Sequence, residues 1–208
     1  RFWGALFGAL NIMLIGKMVQ SLGGKTYACL LGCLAFFVGG YLRMNILFQP
    51  NFLEVFFWTL SLYFLILLIK TNDYKYLYLL SIALAFSFYS KYSMIFAFVG
   101  ILMAFLLTSI RRWFLSVHLY FAGLLFLVLT APNIYWQITH NFPVMTHMKM
   151  LNDRLLVHVS RKQFLIEQLL FNMPAFFVWF SGLIFLFTDS IGRKYFAVAI
   201  VYFTTIAG

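Results

Sequence analysis

Charge is what this chain has least of. Only 10% of its residues are Asp, Glu, Lys or Arg, and only five are acidic, whereas a water-soluble domain carries about a quarter charged residues. So few charges cannot cover a water-facing surface, which excludes an ordinary soluble globular domain. The shortage of acids leaves no paired-carboxylate constellation of the kind glycoside hydrolysis uses. Cysteine is scarce as well: Cys29 and Cys33 lie four residues apart with no His nearby, a poor metal or redox pattern, and packing within an apolar helix accounts for them better. There is no glycine-rich phosphate loop and no nucleophile elbow.

What the chain does contain is apolar mass. Of 208 residues, 64% are hydrophobic and 21% aromatic, and the mean hydropathy is +0.94. This is the composition of an integral membrane protein. The apolar runs are continuous rather than alternating, so the spanning elements are expected to be helices and not strands of a barrel. The formal charge of +10 would raise nucleic acid as a partner for a soluble protein. Here the basic residues stand singly or in pairs at the ends of apolar runs, as they do beside membrane helices, and membrane lipids are the expected contact. The chain begins at Arg1 and ends at Gly208 within an apolar run, which reads as a piece of a longer protein: a single transmembrane domain over 1–208.

A hydrocarbon core of about 30 Å takes roughly 20 apolar residues per helix. On that measure the runs divide into about eight spans: Phe2–Ile15 extended by Lys17, Tyr27–Leu42, Phe52–Ile69, Tyr76–Ser90, Tyr92–Ile110, Phe114–Ala131, Pro174–Thr188, and a last one from Tyr195. Lys91 falls between the fourth and fifth, which must form a hairpin with Lys91 at its tip. Pro132 opens a long connection, 132–173, whose FLIEQLLF stretch (Phe164–Phe171) has the spacing of a short amphipathic helix. A connection of that length is usually a lid or binding loop. Alternation assigns Lys17, Lys25, Lys70, Lys75, Arg111, Arg112, Arg193 and Lys194 to one face, and Arg1, Arg43 and Lys91 with the long connection to the other. Counted over the short loops, the first face is the cytoplasmic one.

The polar groups of the other face are the candidates for chemistry. The stretch Gly40–Leu60 sets Arg43, Asn45, Gln49, Asn51 and Glu54 between two apolar runs. Arg43 and Lys91 are cations on the face where cations are disfavoured; either could hold a phosphate, or snorkel to lipid headgroups. Glu54 follows Pro50 by four residues, in the first turns of a helix. It is either a carboxylate stabilised by the helix dipole or a metal or substrate ligand beside Arg43. His140 and His147 have no third ligand at zinc spacing. Trp136 could stack on a sugar or belong to the interfacial aromatic belt.

Three stretches carry a resemblance: LRMNILFQPNFLEVFFWTLSLYFL, ALAFSFYSKYSMIFAF and PNIYWQITHNFPVMTHM. Together they resemble the polytopic GT-C glycosyltransferases of family 39, which include protein O-mannosyltransferases and the bacterial aminoarabinose transferase of lipid A. The likeness covers Arg1 to about Met150. It implies an all-α transmembrane bundle in a bacterial inner membrane, transferring a sugar from a polyprenyl-phosphate donor to a lipid, glycan or protein acceptor on the non-cytoplasmic side. It implies a catalytic Asp in a first outer loop, which would lie before Arg1, so that the stretch in hand lacks its general base and should be inactive alone. Asn51 stands where many members have a second acid, with Glu54 about one turn further on; the family's role for that acid, in holding a divalent cation or the donor, makes Glu54 a candidate metal ligand. Lys91 matches the family's hairpin-tip lysine, a ligand for the carrier phosphate. The expected substrate-binding set is Arg43, Asn51, Glu54, Lys91, Tyr92, Trp136, Gln137, His140 and Asn141. The competing readings are a transporter or lipid flippase, which should show mid-span charge and broken helices, and a non-catalytic membrane subunit.

Overall fold

A computed structural model describes residues 2–40, 49–154 and 160–207. Arg43 and Asn45 lie outside the described residues. Helix follows helix: α1 (Phe2–Ser21), α2 (Thr26–Val38), α3 (Asn51–Thr71), α4 (Lys75–Ser90), α5 (Met94–Leu107), α6 (Val117–Thr139), α7 (Pro143–Arg154), α8 (Arg161–Phe171), α9 (Phe176–Thr188) and α10 (Phe196–Ala207). Tight 3-10 turns occupy Ser109–Leu115, Met173–Ala175 and Gly192–Tyr195. No strand occurs among the described residues, as expected for an all-α bundle.

Among the described residues, helices of spanning length are fewer than the apolar runs. Three of the described helices (α1, α3 and α6) are long and apolar enough to cross a bilayer, or up to five spans by length and composition if each of two bent helix pairs counts as one. The α2 helix has 13 residues and α4 has 16, roughly 20 and 24 Å at 1.5 Å per residue, short of a 30 Å core. The fifth apolar run is not one helix. The chain bends by 91° between α5 and Ser109–Leu115, where Thr108 hydrogen-bonds back to the Ala104 carbonyl at 2.8 Å.

The sixth run is longer than expected. Pro132 was the natural place to end it, because proline removes a backbone donor and clashes with the preceding turn. Instead α6 continues through Pro132 to Thr139, so the connection expected over 132–173 begins at His140. Polar side chains bond carbonyls in the turns before the proline. Thr130 Oγ1 donates to the Phe126 carbonyl at 2.8 Å, and the Tyr89 hydroxyl of α4 donates to that of Leu129 at 2.8 Å. Spanning helices tolerate proline where such partners exist. Elsewhere Thr59, Ser61 and Thr205 satisfy their own hydroxyls on the carbonyl four residues back, which keeps polar groups out of lipid.

Ring contacts give the helix directions. Phe7 meets Phe52 and Phe56 with centroids 5.7 and 5.0 Å apart, so α1 and α3 start at the same end. Phe57 stacks on Phe86 and Phe64 meets Tyr76, so α4 returns antiparallel to α3. The Tyr78–His118 and Tyr92–Asn133 bonds, both 2.9 Å, set α6 parallel to α4. Cys29 and Cys33 pack against α1, with Cys33 Sγ 3.4 Å from the Ile12 carbonyl. They serve helix contact and are free thiols. The buried core lies where α3, α4, α5, α6 and α10 meet, around Leu65, Leu68, Leu80, Ile101, Phe105 and Val201.

Small residues set how closely these helices approach. A Cβ placed on Gly100 would lie 3.0 Å from Val201 Cα and 3.2 Å from its carbonyl oxygen. Gly100→Leu should therefore push α5 off α10 and cost about 1–3 kcal/mol. Unfolding midpoints in detergent would measure it; an unchanged midpoint would show that this approach is not tight.

One contact joins two loops that alternation assigns to the same face. Arg112 donates to Asn72 Oδ1, joining the α3–α4 loop to the turn after α5. In that same loop Lys75 pairs with Asp73 at 2.8 Å. The hydrogen bond from Lys75 holds the Asp73 carboxyl below the usual carboxylate range. Its contribution is thus present above the ordinary carboxylate pKa and is lost as pH falls below it.

Candidate functional site

At the opposite end, three elements converge: the start of α3, the α4–α5 hairpin and the second half of α6. Asn51 opens α3, its Nδ2 donating to Gln49 Oε1 at 3.2 Å. Pro50 immediately precedes the helix, and its carbonyl accepts from the amides of Leu53 and Glu54 at 3.0 and 3.1 Å. Glu54 is thus in the first turn, where the helix dipole favours an anion.

The hairpin brings Glu54 its partners. Lys91 is extended, with φ −165° and ψ 137°, and ends α4. Its Nζ lies 3.2 Å from Glu54 Oε2. Ser93, two residues on, donates its hydroxyl to Glu54 Oε1. The carboxylate side chain is only 14% exposed while that of the lysine is 51% exposed. That asymmetry matters. The anion is held inside by a cation and a hydroxyl, and the ammonium keeps part of its surface outside. An ammonium has three N–H donors, so Lys91 can stay paired with Glu54 and still offer donors to a second anion. The sequence suggested Arg43 as the neighbour of Glu54. Among the described residues the neighbours are Lys91 and Ser93, and Ser93 had no signal of its own beyond following S-K-Y.

Tyr92 points the other way, into α6. Its hydroxyl donates to Asn133 Oδ1 at 2.9 Å and accepts from Gln137 Nε2 at 2.6 Å. Gln137 is 7% exposed, and its Oε1 accepts from the Val144 amide at 3.4 Å. One buried amide thus ties the residue beside Lys91 to the start of α7. Between them Asn141 and Phe142 take positive φ, 57° and 51°, a conformation uncommon for Asn and strained for a bulky side chain. The Phe142 amide donates to the Gln137 carbonyl at 2.7 Å, which holds the turn. Trp136 and His140 stack with centroids 4.6 Å apart. Both are exposed, and His140 Nδ1 lies 2.9 Å from the Trp136 carbonyl. His147 is exposed on α7.

No group of three or more His, Cys, Asp or Glu side chains stands close enough to hold a metal among the described residues. The Glu54 carboxylate has a lysine and a serine as its partners among the described residues. A divalent cation there would need further oxygen ligands, such as water or a substrate phosphate.

Among the sequence-expected groups, the structure joins Glu54 to Lys91 and Tyr92 to Gln137, and sets Trp136 on His140. Among the described residues it joins Asn51 to Gln49. The carrying pieces (Glu54, Lys91, Tyr92, Ser93, Asn133 and Trp136) fall within residues 1–136, which match the family model described as dolichyl-phosphate-mannose-protein mannosyltransferase. Gln137, His140 and Asn141 lie just beyond the matched stretch. No curated protein and no solved structure gives a match. With 136 of 208 residues covered, and a multi-pass helical bundle carrying its polar groups at helix ends, the chain belongs to the dolichyl-phosphate-mannose-protein mannosyltransferase family of GT-C membrane glycosyltransferases.

Proposed function

We propose that this protein transfers a sugar from a polyprenyl-phosphate carrier to a lipid, glycan or protein acceptor on the non-cytoplasmic side of a bacterial inner membrane. One observation carries the reading. Lys91, the cation at the hairpin tip, is half-exposed and braced by Glu54 at 3.2 Å, inside the stretch that matches a family of sugar transferases. A carrier of this class brings a phosphate to the membrane boundary while its tail stays in lipid. A fixed ammonium there stabilises the charge that grows on the leaving phosphate as the glycosidic bond breaks, and preorganised charge of this kind is usually the largest single catalytic effect. Glu54 and Ser93 orient the lysine, and Tyr92, Asn133 and Gln137 fix the hairpin against α6. The end that holds Lys91 is the outer one because the short loops of the other end hold the excess of basic residues.

The test is a reconstitution of the full chain in proteoliposomes with polyprenyl phosphate carrying a radiolabelled sugar. Label appearing in a covalent product on an added acceptor is the expected result. Label that crosses the bilayer on the intact carrier, with no covalent product, would make the protein a flippase instead.

A further inference from the structure

At the end away from Lys91, α4, α5 and α6 do not close on one another. They leave a cleft of about 520 Å³, within the range of roughly 300–1,000 Å³ typical of small-molecule sites. Its walls are apolar, with Leu80 and Leu84 from α4, Ile101 and Phe105 from α5, and Phe126 and Leu127 from α6. Leu127 is 56% exposed, so the cleft opens sideways from a helix long and apolar enough to span the bilayer. Gly123 stands in the wall, and a Cβ built on it would meet nothing within 4 Å. In a bilayer such an opening is filled by a hydrocarbon chain.

The rim says which chain. After the 91° bend at Thr108, the 3-10 turn Ser109–Leu115 crosses this end, and its Phe114 lines the cleft. Side chains three apart eclipse in a 3-10 turn, so Arg111 stands on the same strip as Phe114. The neighbouring Arg112 is engaged with Asn72. Arg111 is exposed and has no ion-pair partner among the described residues, whose ion pairs are Lys75–Asp73 and Lys91–Glu54. The 14 residues of α5 separate it from Lys91 by roughly 20 Å, so it belongs to the opposite leaflet. A cation at the rim of an apolar gap beside a helix of spanning length suits an anionic lipid headgroup.

We propose that the cleft binds one anionic phospholipid of that leaflet, with an acyl chain between α4, α5 and α6 and its phosphate on Arg111. The site is separate from the sugar-transfer site and does not depend on it. The experiment is native mass spectrometry of the full chain in mild detergent, titrated in turn with phosphatidylglycerol and phosphatidylcholine. The wild type should prefer phosphatidylglycerol. Arg111→Ala should weaken that binding about fivefold, the effect of one surface cation, and erase the preference. Gly123→Phe, which fills the cleft, should exclude the lipid. Equal binding of both lipids by the wild type, or unchanged phosphatidylglycerol binding by Arg111→Ala, overturns the proposal. So does a Gly123→Phe protein that keeps the phospholipid but has a raised KM for the polyprenyl donor, since the cleft would then hold the carrier's tail. Arg111→Ala decides the question if Gly123→Phe does not fold.

Discussion

Lys91→Ala in the full chain should lower sugar transfer about 100-fold while insertion and folding persist. The magnitude follows from the cost of removing one preorganised donor from a site where charge develops, about 10² to 10³ in rate. Folding should persist because the Glu54 carboxylate keeps its bond from Ser93 and the Lys91 side chain is half-exposed. The backbone it belongs to is held independently: its amide donates to the Ser87 carbonyl at 3.1 Å, and its carbonyl accepts from Met94 at 3.2 Å. Lys91→Arg separates charge from placement. A guanidinium keeps the charge but is a planar fork rather than a compact point, so partial activity is expected. Measured kcat/KM for both variants, beside a count of protein inserted in membranes, makes the comparison. Transfer by Lys91→Ala at the wild-type rate would remove this residue from the site.

What the sequence makes legible is uneven, for physical reasons. The helical class and the hairpin around Lys91 follow from local composition, since a polar tip between two apolar runs has few alternatives. The sorting of loops by charge is legible too, and contacts such as Arg112 with Asn72 agree with it. The continuation of α6 past Pro132 is not legible. Tyr89, whose hydroxyl bonds a carbonyl in the turn before the proline, comes from another helix, 40 residues away in the chain. The partner of Glu54 is hidden in the same way: Ser93 is 39 residues distant, and no periodicity within α3 points to it. Apolar runs outnumber the helices of spanning length because hydropathy measures composition, whereas a helix ends where its backbone bonds do, as at Thr108. The roles of Tyr92 and Gln137 are also tertiary. The expected substrate-binding set includes both, and the contacts of Tyr92 with Asn133 and Gln137, and of Gln137 with Val144, could not be read from either residue alone.

Glu54 brings out how the site's parts depend on one another. If its function is to brace Lys91, Glu54→Ala should cost about tenfold in kcat, because misplacement by as little as 1 Å can cost more than that. The effect should disappear when Lys91 is already alanine, since nothing remains to be braced. The expected cycle is therefore strongly non-additive: Glu54→Ala lowers transfer, Lys91→Ala lowers it further, and the double variant matches Lys91→Ala. Residues in contact commonly couple by about 0.5–3 kcal/mol. The opposite sign is physically conceivable. A carboxylate 3.2 Å from the ammonium competes with an incoming phosphate, and if competition outweighed bracing, Glu54→Ala would lower KM for the donor without loss of kcat. The burial difference argues for bracing: the carboxylate is held within by Ser93 as well as Lys91, while the ammonium retains exposed surface for the substrate. Separate kcat and KM values for Glu54→Ala and Ser93→Ala decide between the two, with Ser93→Ala expected to follow Glu54→Ala in direction and to be smaller in size.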